Sequence, residues 1–412
     1  MALKEVLALA AERAVRRRPA ELSSCSTTDG DPTLASATTG APAETIPRRD
    51  LILLPLISLL TILLMTGLAE IASRQIWPEK MFNECLYKDP VLGPRSRANC
   101  ATMLKNIEGP WVRYEMNDCG YRGTASCGPK PPGTLRVVIM GNSVAFGLDV
   151  PYDEYYANRA APELSRIWGQ PVEFQNLGGV GPEWSKRDVV LNEMISLKPD
   201  AVFYMVMPFD LVRMDRIQSA QPDNAVAAPP AKKTSWTWTD VREIVGESRL
   251  LFIAQHFLLL RDESFMLRAF REFADPLDVS RQPTPPLVEQ RFARLDMMVG
   301  KLAARVHAEG VPCYMIAIPS RMEAALISRH LQVAHMDVYI FTRRMQEIAQ
   351  KHGVEYIDVV PALQTRPNAE ELYYPVDGHP TGLFNELLAS VVVNYFRHRG
   401  SLAEPVAAAV KK

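Results

Sequence analysis

Hydrophobic and polar positions fall into three regimes along this chain. The first is Leu51 to Ala69, LILLPLISLLTILLMTGLA, nineteen residues without a charge. A stretch of that length and character predicts a transmembrane helix. Pro55 near its start is tolerated in such a setting, whereas a buried core helix of a soluble protein keeps a polar side that this segment lacks. The second regime begins at residue 135, where short apolar runs alternate with segments of helical spacing. Arg136 to Met140, Val172 to Asn176, Ala201 to Met207, Val311 to Ile318 and Val354 to Val360 read as strands rich in Val, Ile and aromatic residues. Helices are expected after Pro151, over Ser185 to Leu197 with Val189, Val190, Met194 and Leu197 on one face, and over 286–309 and 335–351. The last runs from Thr381 to Arg397, with Leu383, Leu387, Val391 and Tyr395 sharing a face. Strands that alternate with helices and are apolar throughout predict an α/β fold, a five-stranded parallel sheet covered on both sides.

The third regime has no clear period. Residues 19–47 are rich in Ser, Thr, Ala, Pro and Gly and read as disordered, after a short helical stretch over Met1 to Arg18. Residues 77–130 hold Pro, Gly and four of the six Cys. Residues 213–285 interrupt the strand–helix order: Ser219 to Ser235 reads as a loop, and Thr239 to Arg261 as a helix whose Leu250, Leu251, Ile253 and Phe257 pack on the body. Its apolar run 250–260 is too short to span a bilayer.

Charge and cysteine usage sharpen this division. With 47% hydrophobic residues and a net charge of −1 over 412 residues, the chain is neither a disordered protein nor a strongly basic nucleic-acid binder. Arg13, Arg16, Arg17, Arg18, Arg48 and Arg49 precede the apolar span, so the positive-inside rule places residues 1–50 in the cytoplasm, 51–72 across the membrane as a single-pass signal anchor, and the rest on the extracytoplasmic side. That side is oxidising and permits disulfides. Cys85, Cys100, Cys119 and Cys127 allow three connectivities; pairing neighbours, Cys85–Cys100 and Cys119–Cys127, closes short loops and is the expected arrangement. Zinc is disfavoured, because the stretch has no CxxC pair and no His. Cys25 is expected to stay reduced and Cys313 to be a packed core thiol.

Candidate chemistry gathers at the carboxyl ends of the predicted strands, where open α/β sheets place their ligand sites. Gly141-Asn142-Ser143 ends the first strand in turn chemistry and opens a strand-to-helix turn. Asn176 to Gly181, NLGGVG, ends the second, and Pro208-Phe209-Asp210 the third. Asp377-Gly378-His379 lies after the fifth strand and opens the last helix, with Pro380 suited to its first turn. A His beside an Asp supplies the base and its orienter for a Ser nucleophile, provided the loop folds so that they touch. His256, His307, His330, His335, His352 and His398 lie on expected helices or their ends and read as structural or surface residues.

In this order, GNS, NLGGVG, an apolar strand ending in a polar block and a late DGH, the sequence resembles the SGNH (GDSL-like) hydrolase family, and within it the membrane-anchored bacterial members. The lead-in NDCGYRG, residues 117–123, followed by RVVIMGNS is similar to that subgroup too. The resemblance covers roughly 117–210 and 305–397. It implies a three-layer α/β/α sandwich with a five-stranded parallel sheet, placed here at 131–400; the tail, the cysteine-bearing neck at 73–130 and the helical insertion at 213–285 lie outside the resemblance. It also implies Ser143 as nucleophile, His379 as base, Asp377 as the acid that orients it, and the N–H groups of Ser143 and Gly181 as oxyanion donors. The implied activity is ester or acyl hydrolysis by a serine mechanism, with no cofactor and no metal. The substrate would be an ester or acylated molecule, such as an acylated cell-envelope glycan or lipid. The partner would be the membrane through the N-terminal helix, and no nucleic acid is implied. Acyl transfer to a surface glycan would use the same triad. Two positions depart from the pattern. Asn142 replaces the usual Asp of the first block, and Phe209 stands where the family carries an Asn that donates to the oxyanion. That second departure keeps a non-catalytic binding or scaffold protein on the same fold as an alternative.

Overall fold

The computed structural model describes residues 47–81, 83–89, 93–179, 187–212, 246–272 and 278–402. The expected tail, Cys25, Gly181 and most of the predicted insertion loop lie outside the described residues. The chain divides into two compact units, Met1–Ile76 with Trp236–Leu251, and Trp77–Ser235 with Phe252–Lys412.

In the first unit, helix α1 spans Arg48–Ile76. Over Arg49–Ile76 it is long and apolar enough to cross a membrane, and none of its most apolar window is buried. Its Glu70 accepts hydrogen bonds from the Ser248 hydroxyl at 2.8 Å and from the backbone N–H groups of Arg249 and Leu250 at 2.9 Å each. A carboxylate there satisfies N–H groups that a helix starting at Arg249 leaves without intrahelical acceptors.

The second unit begins with the neck, which contains more regular structure than its sequence suggests. Strands β1 (Leu86–Asp89) and β2 (Gly93–Ser96) pair antiparallel, as do β3 (Ala101–Leu104) and β4 (Val112–Glu115). Each has four residues, too short to impose a readable period, although β3 and β4 do alternate exposed and buried positions. Cys85–Cys100 and Cys119–Cys127 are disulfide-bonded, as expected.

The body follows in strand–helix order: β5 (Leu135–Met140), the one-turn α2 (Ser143–Phe146), α3 (Tyr156–Trp168), β6 (Val172–Asn176), α4 (Arg187–Ser196) and β7 (Ala201–Val206). After the interruption come α5 (Arg249–Arg261), α6 (Glu263–Glu272), α7 (Pro286–Ala308), β8 (Cys313–Ala317), α8 (Arg321–Ser328), α9 (Ile340–Lys351), β9 (Glu355–Ile357), α10 (Val360–Gln364) and α11 (Gly382–Arg399). The five strands form one parallel sheet in the order β6-β5-β7-β8-β9. The expected α/β sandwich is therefore present, and its order reverses between β5 and β7, the switch point at which such sheets hold ligands. All six residues of β7 and all five of β8 are buried, as both-face coverage demands. Val138, Met140, Val202, Tyr204, Cys313 and Met315 face one layer with α4, α7 and α9. The alternate positions Phe203 and Tyr314 meet Phe396 of α11 on the other side, with ring centroids 5.9 and 5.1 Å away.

The expected helix faces are met only in part. On α11 the buried series is Phe384, Leu388, Val392 and Phe396, while Leu383 is exposed; both series repeat every four residues, and the larger aromatic rings take the core. On α4 Leu191 and Met194 are buried, with Leu197 just beyond its end, and Val189 is exposed. In α5 the buried apolar residue is Leu259. Phe257 instead lies exposed, stacked on Trp77 at 6.1 Å.

Candidate active site

The backbone around Ser143 is fixed by turn chemistry. Gly141 has φ +147, and a Cβ there would lie 2.5 Å from the Met205 carbonyl oxygen, so only glycine lets β5 turn this closely beside β7. Asn142 caps α2: its Oδ1 accepts from Val144 N–H at 2.8 Å, and its Nδ2 donates to Asp210 at 2.5 Å. Asp210 in turn accepts from Met207 N–H at 2.9 Å. The first and third blocks are thus tied by an amide–carboxylate pair. An Asp at 142 would place two carboxylates at that distance, which gives the Asn a physical reason here. Phe209, next door, is 48% exposed, and its side chain has no hydrogen-bond donor to offer.

The NDCGYRG lead-in buttresses the same turn from below. The Asn117 side-chain oxygen accepts from the N–H groups of Cys119 and Tyr121 at 3.0 Å each, closing its own loop. Arg122, 3% exposed, donates to the carbonyls of Phe146 at 2.9 Å, Gly147, and Val150 at 2.5 Å, with its guanidinium 4.4 Å over the Tyr114 ring. It satisfies carbonyls left open at the end of α2.

The late block closes on this turn. Tyr374 N–H donates to the His379 carbonyl at 2.9 Å and Gly378 N–H to that of Tyr374 at 3.0 Å, with Gly378 at φ +77. This tight loop brings Asp377 and His379 side by side: His379 Nδ1 lies 2.5 Å from Asp377 Oδ2, and Nε2 lies 2.8 Å from Ser143 Oγ. Helix α11 starts only at Gly382, so Pro380 does not open its first turn but bridges to Tyr373. Burial alone would raise the Asp377 carboxyl; the hydrogen bond and charge of His379 outweigh it and hold Asp377 below the usual carboxylate range. With Asp377 bonded at Nδ1, the imidazole can present an unprotonated Nε2 to the hydroxyl. The site has the geometry of an activated hydroxyl nucleophile, a base and an orienting acid. Of the oxyanion positions expected, Ser143 is in place at the start of α2, and Gly181 is outside the described residues. Nearer glycines are committed elsewhere: Gly178 N–H donates to Asn176 Oδ1 at 2.9 Å and Gly179 N–H to the Gly141 carbonyl at 3.4 Å.

Two carboxylates at this site escaped the sequence reading. Glu108, from the neck, has a side chain 1% exposed and receives Asp377 N–H at 2.7 Å, Val376 N–H at 3.0 Å and His256 Nδ1 at 2.6 Å. Asp149, six residues beyond Ser143, has a carboxylate oxygen within 4.8 Å of a carboxylate oxygen of Asp377 and of a ring nitrogen of His379. Neither stands in a motif, and nothing in their local sequence marks them; His256 likewise gains meaning only from the Glu108 contact.

No family model and no curated protein matches the chain. Among solved structures it is similar to a lipase/acylhydrolase from Enterococcus faecalis, 13% identical over 66% of this chain and 100% of that one, with a TM-score of 0.33. It is similar as well to an acetylxylan esterase from Geobacillus stearothermophilus, 11% identical over 66% and 97% with a TM-score of 0.35. A member of the lipolytic protein G-D-S-L family from Veillonella parvula is 12% identical over 64% and 98%, with a TM-score of 0.33. Likenesses this distant carry no argument about chemistry, which has to come from the residues themselves.

Proposed function

We propose that this protein is a membrane-anchored serine acyl hydrolase of the SGNH type, acting on an ester or acyl group of a cell-envelope glycan or lipid. The observation that carries the reading is the chain of hydrogen bonds from Ser143 Oγ through His379 to Asp377 at the carboxyl edge of a parallel sheet. Ser143 Oγ attacks the acyl carbonyl while its proton passes to His379 Nε2. Asp377 holds the imidazolium that results, and the alcohol leaves with that proton. Water, deprotonated by His379, then attacks the acyl-serine and frees the acid. The N–H groups of Ser143 and Gly181 receive the developing oxyanion. Turnover of a small acyl ester by the full chain in detergent tests this: wild type should hydrolyse it, and Ser143→Ala should not. Equal residual hydrolysis by the two would overturn the reading.

Phe209 favours a second reading, a binding or scaffold protein that keeps the triad but is short of an oxyanion donor. A missing donor typically costs about a hundred- to thousandfold in rate. A protein of this second kind would bind an acylated ligand without turning it over.

On this account residues 1–50 lie in the cytoplasm, 51–72 span the inner membrane, and the neck and body (73–130 and 131–400) lie outside. The Arg residues before the span support that orientation, and the two disulfides fit an oxidising compartment. A C-terminal reporter active only in the cytoplasm would refute it.

A further inference from the structure

We infer that Asp149 is a positioning residue of this site, a second carboxyl whose charge acts through His379 to set the basicity of the imidazole and hence the acid limb of the reaction. The inference builds on the triad reading above. Three features of Asp149 point to it, and packing of the core explains none of them.

The first is its backbone. Asp149 has φ +63, a left-handed conformation that glycine takes most freely and that Asp and Asn tolerate better than other side-chain-bearing residues. The position keeps a carboxylate all the same. The second is its environment. The residue is 1% exposed. One carboxylate oxygen accepts from Asn106 Nδ2 at 2.7 Å, while the other is buried and has no hydrogen-bond partner among the described residues. Buried polar atoms are ordinarily satisfied, and an exception calls for a reason. The third is its place. One of its carboxylate oxygens lies within 4.8 Å of a carboxylate oxygen of Asp377 and of a ring nitrogen of His379. Its main chain is pinned there from both sides: its N–H donates to Tyr114 Oη at 2.8 Å, and the Tyr374 hydroxyl, from the loop that carries Asp377, donates to its carbonyl at 3.2 Å. Gly109 makes room for it, since a Cβ at Gly109 would fall 2.8 Å from the Asp149 carboxyl carbon.

Among the described residues, these groups face Asp149. From the neck come Asn106, the Lys105 ammonium and the Tyr114 hydroxyl, with the Arg122 guanidinium beneath the Tyr114 ring. From the late loop come Asp377, His379 and Tyr374, with Glu154 beyond Tyr374. Lys105 is engaged with the carbonyls of Asn106, Ile107 and Gly109. Burial, aided by the neighbouring charge of Asp377, pushes the Asp149 carboxyl up to about 6 against the opposing effects of the Asn106 bond, His379 and Lys105. At pH 8 the carboxylate is charged and favours the imidazolium that forms when Ser143 gives up its proton. As the pH falls through about 6 it takes a proton, and that support is withdrawn.

The test titrates His379 by NMR in the full chain with labelled histidine, in wild type and in Asp149→Asn, and follows fluorophosphonate uptake across the same pH range. A unit charge at this separation predicts that the His379 midpoint and the acid limb of labelling both move down by about one pH unit in Asp149→Asn. Labelling at pH 8 should slow several-fold. A mere packing role would lower stability and leave the midpoint where it was. Asp149→Gly, which suits the left-handed backbone, should reproduce the shift and carries the test if the Asn variant does not fold. A His379 midpoint unchanged in the folded variants overturns the inference. Failure of wild type to label at all overturns the hydrolase reading instead, and the NMR titration still decides the role of Asp149.

Discussion

Glu108 offers a demanding test of how the late loop is held. Its carboxylate accepts from Val376 N–H, Asp377 N–H and His256 Nδ1, and the first two belong to the segment that aims the acid at His379. Glu108→Ala leaves all three donors without their acceptor. A buried donor left unsatisfied costs about 1–3 kcal/mol. Because the Asp377 side chain is itself 31% exposed, water can reach part of the gap, so roughly 2–4 kcal/mol in total is a fair expectation. At about 2 °C or slightly more per kcal/mol for a domain of this size, the melting temperature should fall by roughly 5–10 °C. The functional effect should be separable from this. A displacement of the order of 1 Å in a catalytic group can cost about a hundredfold, so kcat on a small ester should drop about 10- to 100-fold at 20 °C, with KM little changed. Glu108→Gln can keep its carbonyl oxygen toward the two N–H groups and turn its amide to His256, and should recover most of the rate. Steady-state kinetics on the three proteins, with circular dichroism to confirm folding, decides the matter. A folded Glu108→Ala with wild-type kcat would refute the argument that this carboxylate holds the loop.

Three further outcomes follow from particular contacts. Phe209→Asn should raise kcat about tenfold, equivalent to roughly 1.4 kcal/mol of transition-state stabilisation, if the oxyanion hole lacks a donor there; a flat or lower rate would mean that it does not. Asn142→Asp sets a second carboxylate against Asp210, so one of the pair must have a raised pKa. Stability should then be normal at low pH and be lost as pH rises through that value, and urea melts at pH 5 and pH 8 showing the same deficit would contradict this. Removing the Cys85–Cys100 bond, whose partners are 15 residues apart, should cost about 3 kcal/mol of stability, and an unchanged melt of the Cys85→Ser, Cys100→Ser protein would count against a structural role for the neck.

The sheet was legible because its central strands β5, β7 and β8 are long apolar runs, and because turn residues close the strands: Gly141 after β5, Asn176 at the end of β6, Pro208 after β7 and Pro319 after β8. Val137 to Met140 and Ala201 to Val206 are uninterrupted apolar runs of strand length. The candidate site residues were legible through turn chemistry, Ser143 at the end of one strand and Asp377 and His379 two residues apart in a late loop. Face assignment on α11 failed by one position because spacing of four fits 383, 387, 391 and 395 as well as 384, 388, 392 and 396; only packing of Phe396 on Phe203 and Tyr314 chooses. Glu108, Asp149 and His256 were invisible for a different reason. Their roles come from contacts spanning 148 to 269 positions, or from burial that no local pattern encodes. The neck's four-residue strands fell below the length at which a period of two can be told from chance.

The central claim is that Ser143 is an activated nucleophile, and one measurement addresses it directly. The full chain in detergent is treated with a fluorophosphonate and digested, and the peptide containing Gly141-Asn142-Ser143 is examined by mass spectrometry. The account predicts a single phosphonyl adduct on Ser143, absent in Ser143→Ala and formed far more slowly in His379→Ala, because the base that removes the hydroxyl proton is gone. A folded wild-type protein that takes up no reagent, or one labelled equally after Ser143→Ala, would contradict it and leave the binding-scaffold reading in its place.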